Sequence, residues 1–107
     1  MPVATLLGAH PGYEHILVGA IPNVQRAIAG VLGIEPDKVT VHVPAMAHHS
    51  PDLVCTISNI FDLPGRTDEL LQLLSYAVLP VPDTCNQPLA GKRMWQFIEV
   101  APAQKVN

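Results

Sequence analysis

Apolar residues at 16, 17, 20, 24, 27, 28, 31 and 32 recur at the three- and four-residue spacing that lines one face of a helix. Pro22 interrupts that run. A proline inside a helix removes a backbone donor and clashes with the preceding turn, at a cost of about 3 kcal/mol or more, so the helix either kinks or begins there. Proline is favoured in the first helical turn, and Asn23 to Leu32 keep the period. The pattern therefore predicts a helix from Pro22, with residues 13–21 as a less regular helical lead and Gly33 as its stop. A second helical pattern joins Leu70, Leu71, Leu74, Ala77 and Val78, with Thr67 as N-cap and Asp68 and Glu69 in its first turn. Pro80 and Pro82 end it.

The remaining apolar runs have the length and composition of strands. They are Val3 to Leu7, the β-branched alternation Val39 to Val43, Leu53 to Phe61, and Trp95 to Val100. Turn chemistry separates them at His10-Pro11-Gly12, Glu35 to Lys38, Pro44 to Pro51 and Leu63-Pro64-Gly65. A strand, a helix and a strand make a βαβ unit, whose strands are normally parallel with a right-handed crossover. That rule puts Pro2 and Lys38, which precede the first two strands, at the same end of the sheet. The arrangement then repeats: the Pro-Gly pairs at 11 and 64 each follow a strand and precede a helix, and Val-Pro-Ala at 43–45 is echoed by Val-Ala-Pro-Ala at 100–103. The chain reads as one α/β domain of two consecutive βαβ units.

Composition narrows the function classes. With 107 residues, 49% of them hydrophobic, and a mean hydropathy of +0.28, the chain can bury a core without staples. Only 14% of residues are charged, too few to coat a monomer generously, which points to assembly. A net charge of -3 with scattered Lys and Arg argues against nucleic acid and against an anionic membrane. No apolar run approaches a bilayer span, and Met1-Pro2 opens no basic, apolar signal pattern, so a soluble cytoplasmic protein is expected. Two cysteines, Cys55 in an apolar strand and Cys85 in a loop, do not make a disulfide framework.

Pro2 is the first candidate for chemistry. Removal of Met1 would expose its secondary amine, and an α-amine titrates near neutrality, where it can act as a general base. A retained Met1 would make it an amide. Met-Pro is also a common beginning that carries no function.

The order Met1-Pro2, strand, helix, Leu32-Gly33, Pro36, Val39-Thr40-Val41-His42-Val43, Pro51 and Leu53 to Ser58 resembles the tautomerase superfamily, in particular the macrophage migration inhibitory factor branch. The resemblance covers residues 2–79 well and the last strand loosely. It implies a trimer of two-βαβ chains, without cofactor, in which an N-terminal proline moves a proton between carbon and oxygen of a keto acid or enol. Relatives use that proline in dehalogenation, hydration or decarboxylation. By the same resemblance Pro2 matches the base, and Ile60 a pocket residue that offers its backbone N–H to substrate. Ile34 stands where the family has a substrate-binding lysine directly after the helix-ending glycine. Lys38, at a position usually held by tyrosine, supplies a cation four residues on. Trp95 matches a pocket aromatic contributed by a neighbouring subunit, and Phe97 a position that is often polar. The implied pocket is more apolar than is usual for the family, and its substrate a small carbonyl compound.

Other side chains read more simply. His42, His48 and His49, with His10 and His15 further off, have no zinc-motif spacing and read as solvated, so no metal is expected. Cys55 reads as packing, Arg66 as a surface charge. Trp95 on its own reads as core or subunit interface before substrate wall. Two rivals stay open. One keeps the fold but is a catalytically inactive oligomeric binding protein, with Ile34 marking an abandoned site. The other is a ferredoxin-like α+β sandwich, a small-ligand-binding regulatory module with the same element order, in which another strand separates the first two.

Overall fold

The computed structural model describes residues 2–8, 14–44, 52–60, 67–84 and 92–101. Strand β1 is Val3–Gly8, helix α1 Glu14–Gly19, helix α2 Ile21–Leu32, strand β2 Thr40–His42, strand β3 Leu53–Ser58, helix α3 Asp68–Val78 and strand β4 Phe97–Val100. Single 3-10 turns occupy Pro36–Lys38 and Val81–Thr84.

The sheet order is β2-β1-β3-β4. β1 pairs in parallel with β2, β3 in parallel with β4, and the two units meet antiparallel through β1 and β3. This is the repeated βαβ plan expected from the sequence. Because the first two strands are immediate parallel neighbours, the ferredoxin-like arrangement is excluded.

Local chemistry explains the boundaries. The chain turns at Ala20 between α1 and α2, and Pro22 falls in the first turn of α2, where its missing N–H costs nothing. Gly33 ends α2 in the left-handed region at φ 70, and the N–H groups of Gly33 and Ile34 both donate to the Ala29 carbonyl, at 2.8 and 3.1 Å. The Thr67 hydroxyl accepts the Leu70 N–H at 3.3 Å and caps α3. β4 begins at Phe97 rather than at the expected Trp95. The residues before it are held elsewhere: Trp95 N–H donates to the Leu79 carbonyl, and Gln96 binds Leu53 through both its backbone N–H and its side-chain oxygen. β3 ends at Ser58, short of the expected Phe61, because Asn59 takes φ 60 and leaves the ladder.

Alternation within the strands divides the sheet into two faces. Ala4 and Leu6 of β1 and Leu53, Cys55 and Ile57 of β3 are buried with Leu17, Val24, Ile28, Leu74 and Val78 of the three helices. Gly8 permits a close approach at the far end of β1. A Cβ there would stand 1.8 Å from the Asp52 carbonyl oxygen, and its φ of +115 is foreign to other residues. No helix among the described residues is long and apolar enough to cross a membrane.

Candidate active site

Pro2 leads into β1 and is buried. Its carbonyl accepts the Thr40 N–H at 2.9 Å, which fixes the entry of β2 beside it. The register Val3 to Thr40 places Val39 next to Pro2, and the register Val3 to Ser58 places Asn59 across from it. Pro2 therefore lies between the approach to β2 and the exit of β3.

The approach to β2 is tightly specified. In the 3-10 turn, Lys38 N–H donates to the Glu35 carbonyl at 3.0 Å and Val39 N–H to the Pro36 carbonyl at 3.1 Å. The Gln25 amide of α2 donates to the Val39 carbonyl at 3.0 Å, tying helix to strand. Val39 is thereby buried, while Lys38, one residue earlier, is exposed. No ion pair among the described residues engages Lys38. Ile34 is half-buried and packs against the core, so the position after the helix-ending glycine contributes to packing and supplies no charge.

On the other side of Pro2, Asn59 is the one non-glycine residue with positive φ among the described residues, and it is exposed. Asparagine tolerates the left-handed region better than most residues do. The reversal carries Ile60 back into the core, fully buried, while its N–H donates to no described residue. With no partner among the described residues, this N–H is a candidate donor at the Pro2 end of the sheet. Sequence reasoning missed Asn59. The signal that could have found it is an asparagine directly after an alternating run.

The structure brings Pro2, Lys38 and Ile60 to one end of the sheet. It does not bring Trp95 or Phe97 there. Phe97 pairs in register with Val54, which pairs with Leu7, five residues along β1 from Pro2 and roughly 17 Å away at about 3.3 Å per residue. Trp95 is 3% exposed, inside the core of its own chain, and its indole N–H has no partner among the described residues. Phe97 is 61% exposed on the face away from the helices.

Cys55 is buried, and burial pushes its thiol up to about 12. It stays protonated at neutral pH and is no nucleophile. Among the described residues no group of His, Cys, Asp and Glu could hold a metal ion. His10, His48, His49, Arg66 and Cys85 lie outside the described residues.

No family model matches the chain, and no curated protein matches it in sequence. Solved structures do match. The structure of Pt0534 inactivated by 2-oxo-3-pentynoate superposes with a TM-score of 0.59 at 13% identity, over 97% of this chain and 85% of that one. FG41 malonate semialdehyde decarboxylase inhibited by 3-bromopropiolate gives 0.57 at 18% identity, over 97% and 83%. A fused 4-OT wild-type symmetric trimer gives 0.53 at 13% identity, over 96% and 85%. The chain has the tautomerase fold. Each similarity spans most of both chains, so the likeness extends over both βαβ units of this chain.

Proposed function

We propose that this protein is a keto–enol tautomerase in which the Pro2 amine, freed by removal of Met1, is the general base for a small carbonyl or keto-acid substrate. The observation that carries the reading is the convergence at one end of the sheet of Pro2, the exposed Lys38 and the Ile60 N–H, which has no partner among the described residues. Together they supply the three groups an enolisation needs. Pro2 nitrogen takes a proton from the carbon next to the carbonyl. As negative charge develops on the carbonyl oxygen, the Lys38 ammonium and the Ile60 N–H stabilise it, a kind of stabilisation that is largest where donors are already in place. The proton on Pro2 then passes to that oxygen and leaves the amine ready for the next turn.

The working unit in this reading is a homotrimer. Phe97 of a neighbouring copy closes the pocket with an apolar wall, and Trp95 supports that wall from within the neighbour's core. Neither aromatic reaches Pro2 in its own chain, which favours a pocket shared between copies.

Arylpyruvate tautomerisation by the purified protein, with mass spectrometry of its N-terminus, tests the proposal. The expected result is a Met1-free chain whose turnover falls by about 100-fold or more on Pro2→Ala, the scale of general base catalysis. An intact Met1 on the native protein, or unchanged turnover in the variant, rejects it.

A second reading rests on Ile34. With an aliphatic side chain packed into the core where a cation is expected, the fold serves an inactive oligomeric binding protein. Retained Met1 together with stable assembly is the outcome that supports this rival.

A further inference from the structure

One peptide unit joins Pro2 to helix α2. Thr40 N–H donates to the Pro2 carbonyl at 2.9 Å, and the carbonyl on the other side of the same peptide, that of Val39, accepts the Gln25 side-chain amide at 3.0 Å. A trans peptide points its N–H and its C=O in opposite directions, so this unit faces β1 on one side and α2 on the other. β2 is an outer strand, and among the described residues no further strand lies beside it to take up the Val39 carbonyl. Gln25 does so from a helix. It is half-buried, and Val24 before it and Ile28 beyond it are fully buried, so the helix that carries the amide is anchored in the core at that point.

Hydrogen bonds linked through one peptide polarise each other. The Gln25 amide draws charge onto the Val39 oxygen and makes the Thr40 N–H a stronger donor to Pro2. This matters at Pro2 more than at an interior residue, because the first residue of a chain is held from one side only. With Met1 removed, no preceding peptide fixes the Pro2 ring, and its placement depends on its burial and on the bond to its own carbonyl.

We propose that Gln25 is a positioning residue for the Pro2 amine. It touches neither substrate nor the reacting atoms, and acts through the Val39–Thr40 peptide to hold the Pro2 ring where its nitrogen faces the substrate carbon. The role requires a side chain that both spans from α2 to the Val39 carbonyl and donates a hydrogen bond there. A water could satisfy the same carbonyl, but it would not tie Pro2 to a helix packed in the core. The inference rests on the reading of Pro2 as general base.

Turnover of an arylpyruvate and the NMR resonance of the Thr40 amide proton test it, with urea unfolding alongside. Gln25→Met keeps the length and removes the donor, whereas Gln25→Lys keeps a donor. Gln25→Met is expected to lower kcat by about tenfold, the scale of a slightly misplaced catalytic group, and to leave KM within about twofold. Its Thr40 amide proton is expected to move upfield as the bond to Pro2 weakens, and Gln25→Lys to keep most of the wild-type kcat and shift. A tie that serves stability alone would lower the urea midpoint of Gln25→Met while kcat and the Thr40 resonance stayed at their wild-type values, and that result overturns the proposal. A Gln25→Lys variant as slow as Gln25→Met overturns it too. If Gln25→Met does not fold, Gln25→Asn carries the test, since it keeps the amide and loses the reach: a similar fall in kcat supports the role, and wild-type kcat rejects it. The two claims fail separately. A Met1-free wild type without turnover, whose Thr40 resonance still moves in Gln25→Met, fails only the base chemistry, and Pro2-dependent turnover that Gln25→Met leaves intact fails only the role of Gln25.

Discussion

The thiol of Cys55 sits in β3 between Leu53 and Ile57, under the helices, where desolvation pushes it from 9.0 to about 12. An acid whose pKa is higher in the folded than in the unfolded chain holds its proton more tightly when folded. Cys55 therefore contributes stability that is fully present below pH 9.0 and is lost as pH rises from there through about 12. Iodoacetamide at pH 8 is expected to leave Cys55 unmodified in the folded protein and to label it readily in denaturing urea, with peptide mapping to separate it from Cys85. Rapid labelling of Cys55 in the folded state would show that β3 opens locally. Asn59 is a different kind of residue, one whose backbone rather than its side chain shapes the site. Its left-handed φ of 60 turns the chain after β3 and leaves the Ile60 N–H without a partner among the described residues, beside the Pro2 end of the sheet.

Among the elements, α3 owes its beginning to one side chain, since the Thr67 hydroxyl takes the Leu70 N–H that the helix cannot satisfy itself. Thr67→Ala is expected to lower stability by about 1 kcal/mol in urea unfolding, and Thr67→Asp to retain most of it. A loss of only a tenth of that would show that Asp68 and Glu69 hold the end without the cap. This cap was legible in the sequence, as were the apolar period of α2, Pro22 in its first turn and Gly33 at its end, because each acts within a few residues of itself. The joint position of Pro2 and Lys38 was legible too, through the parallel rule for βαβ units. What escaped depends on contacts distant in sequence. Trp95 and Phe97 stand two apart in one apolar run and read alike, yet the bonds to Leu79 and Leu53 hold the chain out of the ladder before Phe97. One aromatic is consequently buried and the other exposed. Asn59 escaped for a similar reason: the sequence carries no φ.

At the scale of the whole molecule, the parts of the proposed site lie at opposite ends of one sheet, with Phe97 level with Leu7 and Pro2 at the other end of β1. A pocket containing both therefore needs two copies, and this separates a shared site from one built within a chain. Pro2→Ala and Phe97→Asp, each expected to be nearly inactive alone, can be mixed, dissociated and reassembled. In a ring where each pocket takes Pro2 from one copy and Phe97 from the next, random reassembly of equal amounts makes about a quarter of the pockets wholly wild type. The mixture is expected to regain about that share of wild-type turnover, while the same variants mixed without dissociation regain none. If pockets were built within single chains, every pocket would carry one defect and no activity would return at any mixing ratio.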